Sequence, residues 1–281
     1  MKLTIPRIGC TTLMYSFVKY SQLREHFLNS SAIFSRSSLL LLDMIYFSVC
    51  SRQDKQPKSL EKLVKYCNSD EALRIRVAYD SKSIYEGHKE NIDFFKRMPI
   101  EDGDIIVLCH DDLDILSKPE DLIDNLRVTR KPNVGFVGVA GSCYIPREGG
   151  WWNARNTGDA RGFVFQGADH QTMTPNYFGK SGQVVVMDGC FLAITYGNLK
   201  KVGLDQPEYL ETGWDFYDIH LTYKAYQEGF SNYVVPIVVM HESPGIMRDG
   251  WFAAREKFMR HYAATVHHAK LPTDKTHGLP N

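Results

Sequence analysis

The chain carries no excess charge: 33 Lys and Arg balance 33 Asp and Glu across 281 residues. That balance gives no electrostatic reason to expect nucleic acid as a partner. No apolar run approaches the ~20 residues needed to cross a bilayer. The longest, Ser38 to Cys50, is broken by Asp43. None of the six cysteines forms a Cys-x-x-Cys pair or shows zinc-ligand spacing. Cys50, Cys109 and Cys190 fall within or at the ends of apolar runs, which fits buried free thiols in a reducing, cytoplasmic setting. No internal repeat is present.

What is there is a chain long enough for one large α/β domain. Residues 1–43 form a leader, expected to be poorly ordered or peripheral. Up to residue 37 it is rich in Ser, with Lys2, Arg7, Lys19, Arg24 and Arg36 against one acid, Glu25. This is the composition of a transit peptide, a disordered leader, or a stretch upstream of a start at Met44. The domain spans 44–269, and 270–281 is a Pro/Gly/Lys-containing mobile tail.

Within the domain, apolar runs and helical patterns alternate. Strands are predicted at Met44–Cys50, Leu73–Tyr79, Asp104–Cys109 and Val134–Ala140. Helices are predicted at about 58–69, 84–97 and 119–126. Such alternation implies a mostly parallel central sheet with helices on both faces, binding ligands beyond the carboxyl ends of its strands. Residues just past the strands therefore carry weight: Ser51-Arg52, Asp80-Ser81 and His110 to Asp114. Residues 141–182 lack a period and read as loops and short strands over the binding edge. Further strands are predicted at 184–187 and 233–240, the second marked by Pro236 as an edge or bulge. Further helices are predicted at 217–228, closed by Gly229, and at 251–268.

The acidic cluster His110-Asp111-Asp112-Leu113-Asp114 is the strongest chemical signal. Adjacent carboxylates repel and resist desolvation, and a divalent cation relieves both problems. A solvated acidic turn is the plain alternative. His241, directly after an apolar strand, would complete a metal site, with Glu242 or Ser243 in support. Asp215 and Asp218 open a helix three residues apart, so they lie on nearly one face. One suits a helix cap, and one suits a general base for a hydroxyl. Asp188-Gly189 at a strand end offers an acceptor for sugar hydroxyls beside an open backbone. Trp151-Trp152 offers a stacking face. In a strand the two rings would diverge, so one of them lines a site. Arg155, Arg161 and Arg248 are candidate phosphate holders.

From Met44 to Tyr262 the chain resembles the family 2-like glycosyltransferases of Rossmann-like GT-A fold. It is most similar to a subgroup with a histidine before its metal-binding acid, found in bacterial surface-polysaccharide enzymes and some large viruses. The resemblance rests on Ile105–Asp114, Val134–Ser142, Gly150-Trp151-Trp152, Val186–Cys190, Trp214–Leu221 and His241–Gly245, in that order and spacing. It implies inverting transfer of a sugar from a nucleotide donor, UDP- or GDP-linked, to a glycan hydroxyl, with Mn²⁺ or Mg²⁺. Asp80 looks like the acid that contacts the nucleoside, and His110-Asp111-Asp112 takes the place of Asp-x-Asp. Asp188-Gly189 looks like the sugar-contacting pair, with Trp152 beside the donor. Asp218 resembles the catalytic base. Asp112 and His241 resemble the metal ligands, with Asp114 as secondary candidate because the strand is expected to end at Cys109. Two positions depart from the family pattern: His110 stands where an Asp is usual, and His220 follows Asp218 where a second Asp is common.

Two other readings stay open. A nucleotidyltransferase would release pyrophosphate, but Ser51-Arg52-Gln53-Asp54 lacks the glycines of its phosphate loop. A non-catalytic sugar-binding homologue would bind donor without transfer.

Overall fold

The computed structural model describes residues 44–52, 58–243 and 245–271. The leader 1–43 and the tail beyond Leu271 lie outside the described residues.

In chain order the domain runs β1 (Ile45–Cys50), α1 (Lys58–Cys67), β2 (Leu73–Ala78), α2 (Ile84–Phe95), β3 (Ile105–His110), β4 (Leu113–Ile115) and α3 (Pro119–Leu126). It continues through β5 (Val134–Gly138), β6 (Ala140–Ser142), β7 (Ala160–Gln166), β8 (Thr174–Gly179), β9 (Gly182–Val184), β10 (Val186–Met187) and β11 (Phe191–Thr195). The last elements are α4 (Tyr196–Val202), α5 (Tyr217–Gln227), β12 (Ser231–Val234), β13 (Val239–His241) and α6 (Asp249–His261).

The central sheet has the order β2-β1-β3-β11-β5-β12-β9. β2, β1, β3, β5 and β12 run one way; β11 and β9 run against them. Strands buried on both faces read as continuous apolar runs, which is why β1 and β3 were legible. Their side chains alternate between two cores. Ile45, Phe47 and Val49 pack with Leu60 and Leu63 of α1, while Tyr46 and Cys50 pack with Ile84, Tyr85 and Phe95 of α2. Each such fully buried apolar side chain contributes about 1.5–3 kcal/mol. Helices thus cover both faces, in the α/β, Rossmann-like GT-A plan expected.

A second sheet, β10-β6-β7-β13-β4, stands beside the first, with β8 paired along β7. It corrects several boundaries. The strand predicted through Ala140 divides at Val139, where the chain leaves the central sheet as β5 and joins the second as β6. The strand predicted across Pro236 likewise divides into β12 and β13, since proline supplies no ladder donor. β3 runs one residue past Cys109 and includes His110. The helix predicted to 268 ends at His261.

Two pairings build the functional edge. β4 follows β3 after a two-residue turn and pairs antiparallel with β13, so that His241 faces Leu113. The Glu242 amide then donates to the Asp112 carbonyl at 2.9 Å. On the other side, the His110 amide donates to the Cys190 carbonyl at 3.3 Å, bringing Asp188-Gly189-Cys190 alongside.

Candidate active site

A cleft of about 980 Å³ opens at this edge and gathers His110, Asp111, Asp112, Asp188, Asp218 and His241, with Asp215 beside them. Asp80, Gly189 and Asp114, also expected here, do not line it. Asp80 follows β2, the edge strand, and is exposed, with φ +52°.

At the centre Asp112 Oδ1 lies 3.2 Å from His241 Nε2 and 3.7 Å from His110 Nδ1. His110 Nδ1 and His241 Nε2 are 3.1 Å apart. The tautomer of His110 follows from its other nitrogen. The Tyr217 hydroxyl donates its one proton to the Gly189 carbonyl at 3.0 Å, so at 2.7 Å it accepts from His110 Nε2–H. Neutral His110 therefore turns a bare Nδ1 toward Asp112 and His241. Asp112 Oδ1 is buried and makes no aligned hydrogen bond. Two imidazole nitrogens and an under-satisfied carboxylate oxygen converge, a donor set that fits a divalent cation.

The titration pattern agrees. Burial works against ionising Asp112, yet the neighbouring His241 and His110 rings hold its carboxyl down at about 2. Burial lowers His110, with His241 adding to the effect. Burial also opposes charging His241, but its contact with Asp112 outweighs burial and raises it. Asp111 is pushed up by burial, although Ser51 Oγ donates to it at 2.5 Å.

Asp114 belongs to a different cluster. Its Oδ2 meets His170 Nε2 at 2.6 Å and Lys62 Nζ at 3.3 Å, and Lys62 also pairs with Glu242 at 3.0 Å. Glu242 thus neutralises Lys62 rather than supporting His241.

Asp218 enters from α5. The preceding Phe216 takes a left-handed backbone, φ +65°, with its ring between Trp251 and Phe258 at 5.3 and 5.1 Å. This sharp start aims Tyr217 at His110 and Asp218 at the cleft. Asp218 Oδ2 accepts from the Gly189 amide at 2.9 Å, and Oδ1 from the Ile219 amide at 2.8 Å. Burial, helped by the charge of Asp188, still pushes its carboxyl up to about 7. Gly189 is required by space: a Cβ there would stand 2.2 Å from the Tyr217 hydroxyl and 2.8 Å from Asp218 Cβ. Asp188 is fixed by Trp151 Nε1–H at 3.1 Å and by the Cys190 amide at 2.8 Å.

Trp151 and Trp152 stand on a 3₁₀ helix, Trp151–Thr157, not on a strand. Both therefore line the cleft, correcting the expectation that only one would. Arg155 and Arg248 also line it, whereas Arg161 donates to the Gln183 carbonyl at 2.9 Å and does not. Tyr217 and Trp251, for which the sequence carries no functional signal, line the cleft as well. Arg52, flagged only by its place after β1, stacks over Trp214 at 4.4 Å on the cleft wall. His220 turns away into a tyrosine cluster, 2.5 Å from the Tyr209 hydroxyl, and burial lowers it to about 3. The five described cysteines are free and buried. No described helix is long and apolar enough to cross a membrane.

A family model described as Glycosyltransferase like family matches residues 96–263. Among solved structures, A197 from STIV is similar at 13% identity over 73% of this chain and 97% of its own, with TM-score 0.40. The 2-C-methyl-D-erythritol 4-phosphate cytidylyltransferase of Francisella tularensis is similar at 12% identity over 76% of this chain and 100% of its own, with TM-score 0.35. No curated protein matches the chain.

Proposed function

Since the family match spans more than half of its residues, the chain belongs to the Glycosyltransferase like family, and from the site we propose a metal-dependent, inverting transfer of a sugar from a nucleoside-diphosphate donor to a glycan hydroxyl. The observation that carries this reading is one cleft holding both a cation-fitting triad and a carboxyl tuned to about 7.

Asp112, His241 and the bare Nδ1 of His110 would hold the cation. Two imidazoles in the set favour Mn²⁺ over Mg²⁺, which prefers oxygen ligands throughout. When bound it supplies charge against the donor diphosphate. Asp218 is the base. The acceptor oxygen forms its bond to the anomeric carbon, its proton passes to an Asp218 carboxylate oxygen, and the bond to the diphosphate oxygen breaks with its electron pair on the leaving group. Asp188, held still by Trp151 and the Cys190 amide, accepts from donor-sugar hydroxyls, with Asp111 toward the donor. Trp152, Arg155 and Arg248 offer a stacking face and phosphate contacts. Tyr217 and Gly189 couple the two halves, one bonding His110 and the other Asp218.

A base must be ionised to act, so transfer rises with pH through about 7. The test combines calorimetry of a nucleotide-sugar panel, with and without Mn²⁺, with transfer assays of Asp218→Asn. The variant is expected to bind donor normally and to lose about 10²–10⁴-fold in kcat. Full transfer by the variant, or donor binding indifferent to metal, would overturn the assignment.

A further inference from the structure

A second hollow, of about 560 Å³, lies outside the cleft and is walled by Arg147, Arg255, Arg260 and His267, with Glu256 the one acid and Met259 at its side. The side chains of Arg147, Arg260 and His267 have no hydrogen bond or ion pair with any described residue. Arg255 is only loosely engaged. One of its amino groups reaches the Glu148 carbonyl at 3.4 Å and the other stands 3.9 Å from Glu256, while its buried Nε–H has no partner. Guanidinium donors without a protein partner, one of them buried, around a concavity suit an oxyanion.

Its position connects it to the cleft. Arg255 is four residues from Trp251 on α6, the same helix face about 6 Å along the axis. Trp251 lines the cleft. Arg255 also runs under Gly149, where a Cβ would stand 2.4 Å from its Cγ, and Gly149-Gly150 leads into the 3₁₀ helix that carries Trp151 and Trp152. α6 therefore walls both hollows, and the loop from Arg147 to Gly150 runs from the second hollow into the 3₁₀ helix that lines the cleft.

We propose that this basic hollow holds an anionic substituent of the acceptor glycan, a uronate, sulfate or phosphate one or two sugar units from the reacting hydroxyl. The assignment rests on the transferase reading and names its acceptor class: an acidic glycan.

Calorimetry on the full chain tests it with cellotetraose and with counterparts carrying a terminal glucuronate, 6-sulfate or 6-phosphate. The charged ligands are expected to bind about tenfold more tightly than the neutral one, the preference shrinking as salt rises. The tightest of the three identifies the source of the anion. Arg147→Ala with Arg260→Ala, both exposed and unpaired, is expected to bring charged and neutral ligands within about twofold while leaving UDP binding with Mn²⁺ unchanged. Equal binding of charged and neutral ligands by the natural chain, or a preference that survives in the double variant, would overturn the proposal. If no nucleotide sugar binds with or without Mn²⁺, the transferase reading fails on its own, separately from the charge preference.

Discussion

Asp112 and Asp114 are two residues apart, yet they occupy opposite electrostatic situations. Asp114 is almost fully buried and already paired with Lys62 at 3.3 Å and in contact with His170 at 2.6 Å. Asp112 faces two imidazoles, one of them presenting a bare nitrogen, and has a buried oxygen with no aligned donor. A carboxylate matched by ammonium and imidazole side chains is a structural pair. One left short of donors at a cleft edge has capacity for a cation. The textual Asp-x-Asp at 112–114 therefore spans one of each kind.

The comparison breaks or holds on four measurements. The largest expected effect is Asp112→Ala, which should weaken Mn²⁺ binding by about 100-fold or more, whereas Asp114→Asn should change it less than about twofold. In thermal unfolding the order inverts: Asp114→Asn removes from a nearly buried side chain the charge that Lys62 and His170 face, and should cost about 1–3 kcal/mol. Equal metal affinities of the two variants would erase the distinction. Next, Tyr217→Phe removes the acceptor that fixes the His110 tautomer and should weaken Mn²⁺ by about 10-fold, with donor-free calorimetry as the readout. The third effect concerns pH. His241 is raised by Asp112, so its protonated form competes with a cation. Mn²⁺ affinity should fall as pH is lowered, and a flat profile would remove His241 from the ligand set. The smallest belongs to Lys62→Met: its side chain is 40% exposed, so unfolding should shift by less than about 1 kcal/mol.

Much of the architecture was legible because β1 and β3 are buried on both faces and read as unbroken apolar runs. The second sheet was not. Its strands are as short as two or three residues, too few to show a period, and residues 141–182 carry a 3₁₀ helix where stacking was argued from strand geometry. The site was legible as separate pieces. Acids after strand ends could be named, and Asp218 stood out at a helix start. Their meeting could not be read, because His110 and His241 are 131 residues apart and are joined by the pairing of β4 with β13. Tyr217 was missed because an aromatic beside an acid carries no signal until its hydroxyl has a partner. Asp80, expected from its place after a strand and from the family resemblance, stands past the edge strand β2 and outside the lining of the cleft.

The left-handed turn at Phe216 has a consequence for when the protein becomes competent. A non-glycine residue at φ +65° costs about 1–2 kcal/mol, and the ring offsets that by seating between Trp251 and Phe258 of α6. Until that helix docks, the turn that aims Tyr217 and Asp218 lacks the packing that offsets its cost, and only their bonds to Gly189 and His110 hold them. During synthesis every acid and both histidines of the site leave the ribosome before α6 does. A chain stopped before Asp249 would thus carry every one of those groups without the packing that seats Phe216, and is expected to transfer more slowly than the full chain, with the helix acting as a latch on the turn.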